Sequence, residues 1–141
     1  MARIFWDTNV FIYLFENNAE WSPLVIEFRK RMLGRRDQLL TSWLTVGEAL
    51  TKPKESANAM LEKRYLNFFL SGSIELVPFE GEAAKRYAEI RSRERVRPAD
   101  AIQLACAAAA GTDLFVTNDS RLSGMVVAGI TFITGIARVP Y

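Results

Sequence analysis

Apolar and polar positions alternate along the chain in two rhythms. Short, nearly continuous apolar runs predict buried strands at Arg3–Trp6, Gln38–Ser42, Ile74–Pro78 and Asp113–Thr117, with a brief fifth near Thr131–Thr134. Between them the spacing is helical. Val10–Phe15 follows the capping cluster Asp7-Thr8-Asn9, and Trp21–Arg36 carries Ser22 as an N-cap and Pro23 at its first position. On that second helix Leu24, Val25 or Ile26, Phe28 and Met32 are expected to face inward. Leu44–Thr51 reads as a helix stopped by Pro53, and Ser56–Leu70 as a longer one bearing Met60, Leu61, Tyr65, Phe68 and Phe69 before Gly72. Two more helices run from Gly81 to Arg93 and from Pro98-Ala99-Asp100 to Gly111. Strands separated by helices require a mostly parallel sheet with helices on both faces. Such open sheets bind ligands beyond the carboxyl ends of their strands.

Composition narrows the chemistry. The 141 residues, half of them hydrophobic, suit one domain spanning 1–141 with a core that needs no disulfide or structural metal. Cys106 is the sole cysteine and sits in an alanine run, where a small buried residue is expected. With no histidine, imidazole bases, Ser-His-Asp and Cys-His triads and histidine-built metal sites are all excluded. The start of the chain lacks the apolar stretch of a signal peptide, and no run approaches the ~18 apolar residues of a membrane span, so a cytoplasmic protein with no membrane association is expected. The net charge of +2 is small, yet arginines crowd 29–36 and alternate through 91–97.

The informative residues are acids. Asp7 follows the first strand, Asp119 follows the fourth, Asp100 opens the alanine-rich helix, and Glu48 interrupts an otherwise small or apolar helix. Taken singly, each has a structural role available, Asp7 as a helix cap, Asp100 as a dipole partner, Asp119 as a turn residue and Glu48 as a surface helix glutamate. Together they are candidates for one cluster at one sheet edge. Carboxylates gathered that closely repel one another unless a cation neutralises them, and hard oxygen ligands select Mg²⁺ or Mn²⁺. Such a site suits phosphodiester hydrolysis without an imidazole base.

The segments Ile4-Phe5-Trp6-Asp7-Thr8-Asn9, Thr45-Val46-Gly47-Glu48-Ala49, Pro98-Ala99-Asp100-Ala101-Ile102-Gln103-Leu104-Ala105 and Phe115-Val116-Thr117-Asn118-Asp119, in this order and spacing, resemble the PIN-domain family, and among its members the free-standing VapC-type toxins. Leu122 stands where the family often has an aromatic. The resemblance implies a three-layer α/β/α fold and a Mg²⁺- or Mn²⁺-dependent endoribonuclease leaving 5′-phosphate and 3′-hydroxyl ends. Asp7, Glu48, Asp100 and Asp119 match the family's acidic quartet, both as catalytic residues and as metal ligands. Thr117 matches its hydroxyl residue, and Thr8 or Asn9 would hydrogen-bond behind the ligands. Arg93, Arg95, Arg97 and Arg121 are candidates for contact with RNA phosphates. The resemblance also implies a homodimer and an antitoxin protein that inserts an arginine among the acids. A PIN-fold RNA-processing nuclease without an antitoxin and a non-catalytic RNA- or protein-binding module are the alternatives. A haloacid-dehalogenase-like phosphatase fits less well, since Asn9 stands where it would need a second Asp.

Overall fold

The computed structural model describes residues 1–140. Among them, in chain order, are β1 (Arg3–Trp6), α1 (Thr8–Phe15), α2 (Ser22–Arg35), β2 (Gln38–Ser42), α3 (Trp43–Glu55), α4 (Ala59–Phe69), β3 (Ile74–Val77), α5 (Gly81–Arg93), α6 (Pro98–Ala110), β4 (Thr112–Thr117) and β5 (Ile130–Gly135), then a short 3₁₀ turn. The strands form one sheet in the order β3-β2-β1-β4-β5, and every pairing is parallel. No helix among the described residues is long and apolar enough to cross a membrane.

Period-two alternation explains why the strands read as unbroken apolar runs. Ile4 and Trp6 of β1, Leu39 of β2 and Leu114 and Val116 of β4 enter one core, which α1 to α4 cover with Phe11, Phe28, Met32, Val46, Tyr65 and Phe69. Phe5, Leu40 and Phe115 point the other way, into a core closed by α5 and α6. The central strands β1, β2 and β4 are buried on both faces, as the middle of a parallel sheet requires, while the edge strand β5 leaves Phe132 exposed. The small side chains of α6, Ala101, Ala105, Cys106, Ala107 and Ala108, are buried on nearly all sides between α5 and the sheet. Burial pushes the Cys106 thiol up to about 11, so it serves as packing, as expected.

Several local expectations are corrected. Ser22 lies inside α2 rather than capping it. Its hydroxyl bonds to the Tyr13 and Glu16 carbonyls, and the Asn18 side chain instead accepts the Glu20 and Trp21 N–H groups. Val25, Phe28 and Met32 are the buried positions of that helix, while Leu24 and Ile26 are exposed, as is Met60 on α4. Pro53 does not stop α3, because it sits in the last turn, where it forfeits one backbone bond, and the helix runs on to Glu55. Positive φ at Ala57 then breaks the chain, so α4 starts at Ala59 with Asn58 accepting the Leu61 N–H, three residues later than the expected Ser56.

The turn into β5 is closely fitted. Gly129 has φ +96°, and a Cβ there would lie 2.8 Å from the Ala108 carbonyl oxygen and 3.0 Å from its Cβ. Gly129→Ala combines left-handed strain with overlap against helix backbone, and should cost about 2–4 kcal/mol. The check is a thermal melt, in which a change under about 2 °C would mean that the turn yields freely.

Candidate active site

At the carboxyl edge of the sheet the chain leaves β1 toward β2 on one side, while β4 returns on the other. This is the topological switch point, where open α/β sheets form their crevice. Asp7 stands one residue beyond β1 and Asp119 two beyond β4, so both flank the crevice. Asp100 reaches it from the first turn of α6 and Glu48 from the second turn of α3. All four line one open cavity of about 200 Å³, together with Thr8, Asn9, Arg97 and Gln103. The four acids grouped by sequence position are thus grouped in space.

Asp7 combines its two readings. It caps α1 by accepting the Thr8 N–H at 2.8 Å, and its second oxygen accepts the Thr117 hydroxyl at 2.8 Å. Only 7% of it is exposed. Burial therefore raises its pKa to about 6, against the lowering effect of those two bonds, and the charges of Asp100 and Glu48 push the same way. Thr117 Oγ1 also accepts the Asp119 N–H at 3.0 Å, which ties the ends of β1 and β4 together. Asn9 Oδ1 accepts the Asn118 N–H, fixing the same loop from α1. Thr8 donates to Glu48 Oε1 at 2.6 Å.

Asp119 lives in the opposite electrostatic environment. The Arg121 guanidinium binds both of its oxygens, at 3.0 and 2.7 Å, and holds its carboxyl below the ordinary range. Arg97 spans two acids, with Nε 3.3 Å from Asp100 and Nη2 3.7 Å from Asp119. Two of the four candidate phosphate contacts, Arg97 and Arg121, therefore reach the acids directly. Arg93 lines a separate hollow with Ile90 and Val127, and Arg95 is exposed between α5 and α6, so neither is brought to the crevice.

Sequence reasoning passed over the floor of the cavity. Gln103, Thr41, Ser42 and Thr45 are buried there and hydrogen-bonded to one another and to Thr8. The available signal was an amide standing alone in an alanine-rich helix, one turn beyond Asp100.

No three acids among the described residues group closely enough to hold one ion, and Asp119 is engaged by Arg121. The donor set is nonetheless oxygen only, and Asp7 is a carboxylate whose pKa is raised chiefly by burial and further by its acidic neighbours. That suits a small hard dication that binds through one or two carboxylates and keeps much of its water.

The PIN domain family profile matches residues 4–126, which includes every acid of the cavity. The chain belongs to the PIN domain family. No curated protein sequence matches it significantly. Among solved structures, VapBC2 from Rickettsia felis bound to a promoter DNA fragment superposes with a TM-score of 0.73 at 14% identity, covering 94% of this chain and 97% of that one. DNA-bound VapBC from Salmonella typhimurium gives 0.67 at 22% identity, covering 96% and 99%. VapC20 from Mycobacterium tuberculosis, described as a sarcin-ricin loop cleaving toxin, gives 0.63 at 17% identity, covering 79% and 86%. At such identities these likenesses establish the fold alone, the three-layer PIN domain expected from the sequence, whose sheet is parallel throughout.

Proposed function

We propose that this PIN domain acts as a single-domain, divalent-metal-dependent endoribonuclease of the VapC type, the toxin of a toxin–antitoxin pair working in the cytoplasm. The observation that carries the reading is the gathering of Asp7, Glu48, Asp100 and Asp119 around one open crevice at the switch point of the sheet. The fold-level likeness to VapC20 and to VapBC assemblies supports RNA as substrate and an antitoxin as partner. Mg²⁺ or Mn²⁺ held by these acids would supply a Lewis acid for the scissile phosphate and a source of nucleophilic water. Asp7 and Asp100 are the best placed to hold it, with Glu48 orienting water and Asp119 closing the β4 side. Thr117 holds the Asp7 carboxylate in place by its hydroxyl hydrogen bond.

The deciding experiment is cleavage of a labelled single-stranded RNA panel and of total RNA by purified protein with Mg²⁺, Mn²⁺ or EDTA. Cleavage that EDTA abolishes is the expected result. No cleavage with any metal, joined to no divalent-ion binding by calorimetry, would instead establish a binding module on the PIN fold.

The arginines add a second test. Arg121 neutralises an acid that a dication would use, and is also the nearest cation to a phosphate entering over Asp119. Arg121→Gln should tighten Mn²⁺ binding roughly three- to tenfold, since it removes a competing charge at contact distance. The same variant should bind single-stranded RNA more weakly at every sequence, with a salt slope smaller by about 0.7. Calorimetry and fluorescence anisotropy check the two effects, and a variant unchanged in both would remove Arg121 from the site.

A further inference from the structure

Gln103 is 2% exposed and lies one turn beyond Asp100 on α6, with its amide set among four hydroxyls. The proton of each hydroxyl can be assigned, because two hydrogen-bond chains leave this amide and each ends in a group that can only accept. One chain ends at the Trp6 carbonyl, which takes the Thr41 hydroxyl proton at 2.8 Å. Thr41 has no second proton, so in the 2.7 Å pair of Thr41 and Thr45 the Thr45 hydroxyl is the donor. Thr45 is then left to accept, and Gln103 Nε2 supplies it at 2.8 Å. The other chain ends at the Glu48 carboxylate, which takes the Thr8 hydroxyl proton at 2.6 Å. Thr8 in turn is left to accept from Gln103 Nε2 at 3.1 Å. The amide oxygen meanwhile accepts the Ser42 hydroxyl. The hub must therefore offer two N–H donors and one acceptor from a single buried side chain. A primary amide does so without charge, a carboxylate cannot, and an alkyl group would leave the Ser42 hydroxyl without its acceptor and the Thr45 and Thr8 oxygens without their N–H donor.

We propose that Gln103 is a positioning residue for Glu48: by directing the Thr8 hydroxyl proton onto Glu48 Oε1, it fixes that exposed carboxylate against the start of α1, which Gln103 joins to the helix that carries Asp100. A free glutamate on a helix surface samples many rotamers, and a cation that needs it must order it first. The Gln103–Thr8 pair has done that ordering beforehand, leaving Glu48 Oε2 for the crevice. The proposal rests on the metal-dependent reading above and adds to it a residue outside the acidic quartet.

The test is Mn²⁺ titration by calorimetry on the full chain, for the parent, Gln103→Leu, Glu48→Gln and the double variant, with folding checked by circular dichroism. Gln103→Leu is expected to weaken Mn²⁺ binding about 10–100-fold, the usual cost of losing a residue that orients a ligand. In the Glu48→Gln background the same change should alter affinity less than about twofold, because the carboxylate it positions is gone. Gln103→Glu, nearly equal in volume and useful should the leucine variant misfold, supplies a test of sign. Added negative charge near a dication would by itself tighten binding, whereas loss of both donors loosens it, and loosening is the expected result. Equal weakening by Gln103→Leu in both backgrounds, or tighter binding by Gln103→Glu, overturns the proposal while leaving the metal site standing. A parent that binds no Mn²⁺ overturns the metal reading and this proposal together.

Discussion

Asp7→Asn should give a protein that cleaves RNA about 10³-fold more slowly than the parent and melts higher at pH 7 in metal-free buffer. The two effects have one origin. Asp7 is buried at the sheet's switch point without a basic partner, between the charges of Asp100 and Glu48, and its carboxyl is pushed up to about 6. Without a cation, keeping it ionised at pH 7 costs about 3 kcal/mol relative to the unfolded chain, whose aspartate titrates near 3.8. Asparagine removes that cost. It has one acceptor where the carboxylate serves two donors, Thr8 N–H and Thr117 O–H, so about 1 kcal/mol is returned. The net gain of about 2 kcal/mol corresponds to a rise of roughly 8 °C in Tm. On the proposed metal-dependent reading the lost charge would hold the dication, and a 10³-fold loss is about 4 kcal/mol of transition-state stabilisation. Calorimetric melting and a gel cleavage assay on the same preparation check both. An Asp7→Asn protein that cleaves at the parental rate would remove Asp7 from the chemistry, and one that melts lower would make its main role the capping of α1.

That opposition between stability and chemistry was partly legible in the sequence. An acid placed directly after an apolar strand, before a helix, lies at the ligand edge of a parallel sheet whatever the details, so Asp7 and Asp119 could be located from strand boundaries alone. Asp100 and Glu48 followed from the oddity of an acid in an alanine-rich or apolar helix. Sequence position does not reveal which partner a side chain will choose across the fold. Gln103 meets Ser42, Thr45 and Thr8, respectively 61, 58 and 95 residues away, so its lone place in an alanine-rich helix marks it as unusual without naming its partners. Arg97 and Arg121 were visible as charge near acids, but not as the pairs that hold Asp119 below the ordinary carboxylate range while burial carries Asp7 above it. The misplaced helix ends have a similar cause. Ser22 has the chemistry of a cap, yet the carbonyls of Tyr13 and Glu16 claim its hydroxyl from the preceding turn.

The Asp7 environment also sets how stability should vary with pH. In EDTA the protein should lose about 3 kcal/mol as pH rises from about 4 to about 6, and then level off. In that interval folded Asp7 keeps a proton that the unfolded chain has released, so the folded state binds more protons and rising pH favours unfolding. Asp119 has the opposite sign, because Arg121 lowers its carboxyl. Its contribution is present above the unfolded value near 3.8 and is lost only as pH falls further, so the two windows barely overlap. Saturating Mn²⁺ should largely cancel that slope. The cation needs Asp7 ionised, so its affinity should fall up to tenfold for each pH unit below about 6. At a hundredfold excess over Kd near pH 7 it would add about 2.7 kcal/mol. Melting curves taken from pH 4 to 7, with EDTA and with Mn²⁺, should therefore diverge as pH rises, and Asp7→Asn should flatten the EDTA series. Parallel curves for the two buffers would mean that the dication binds without drawing on Asp7, and would move the metal toward Asp100 and Asp119, where Arg97 and Arg121 would have to give way.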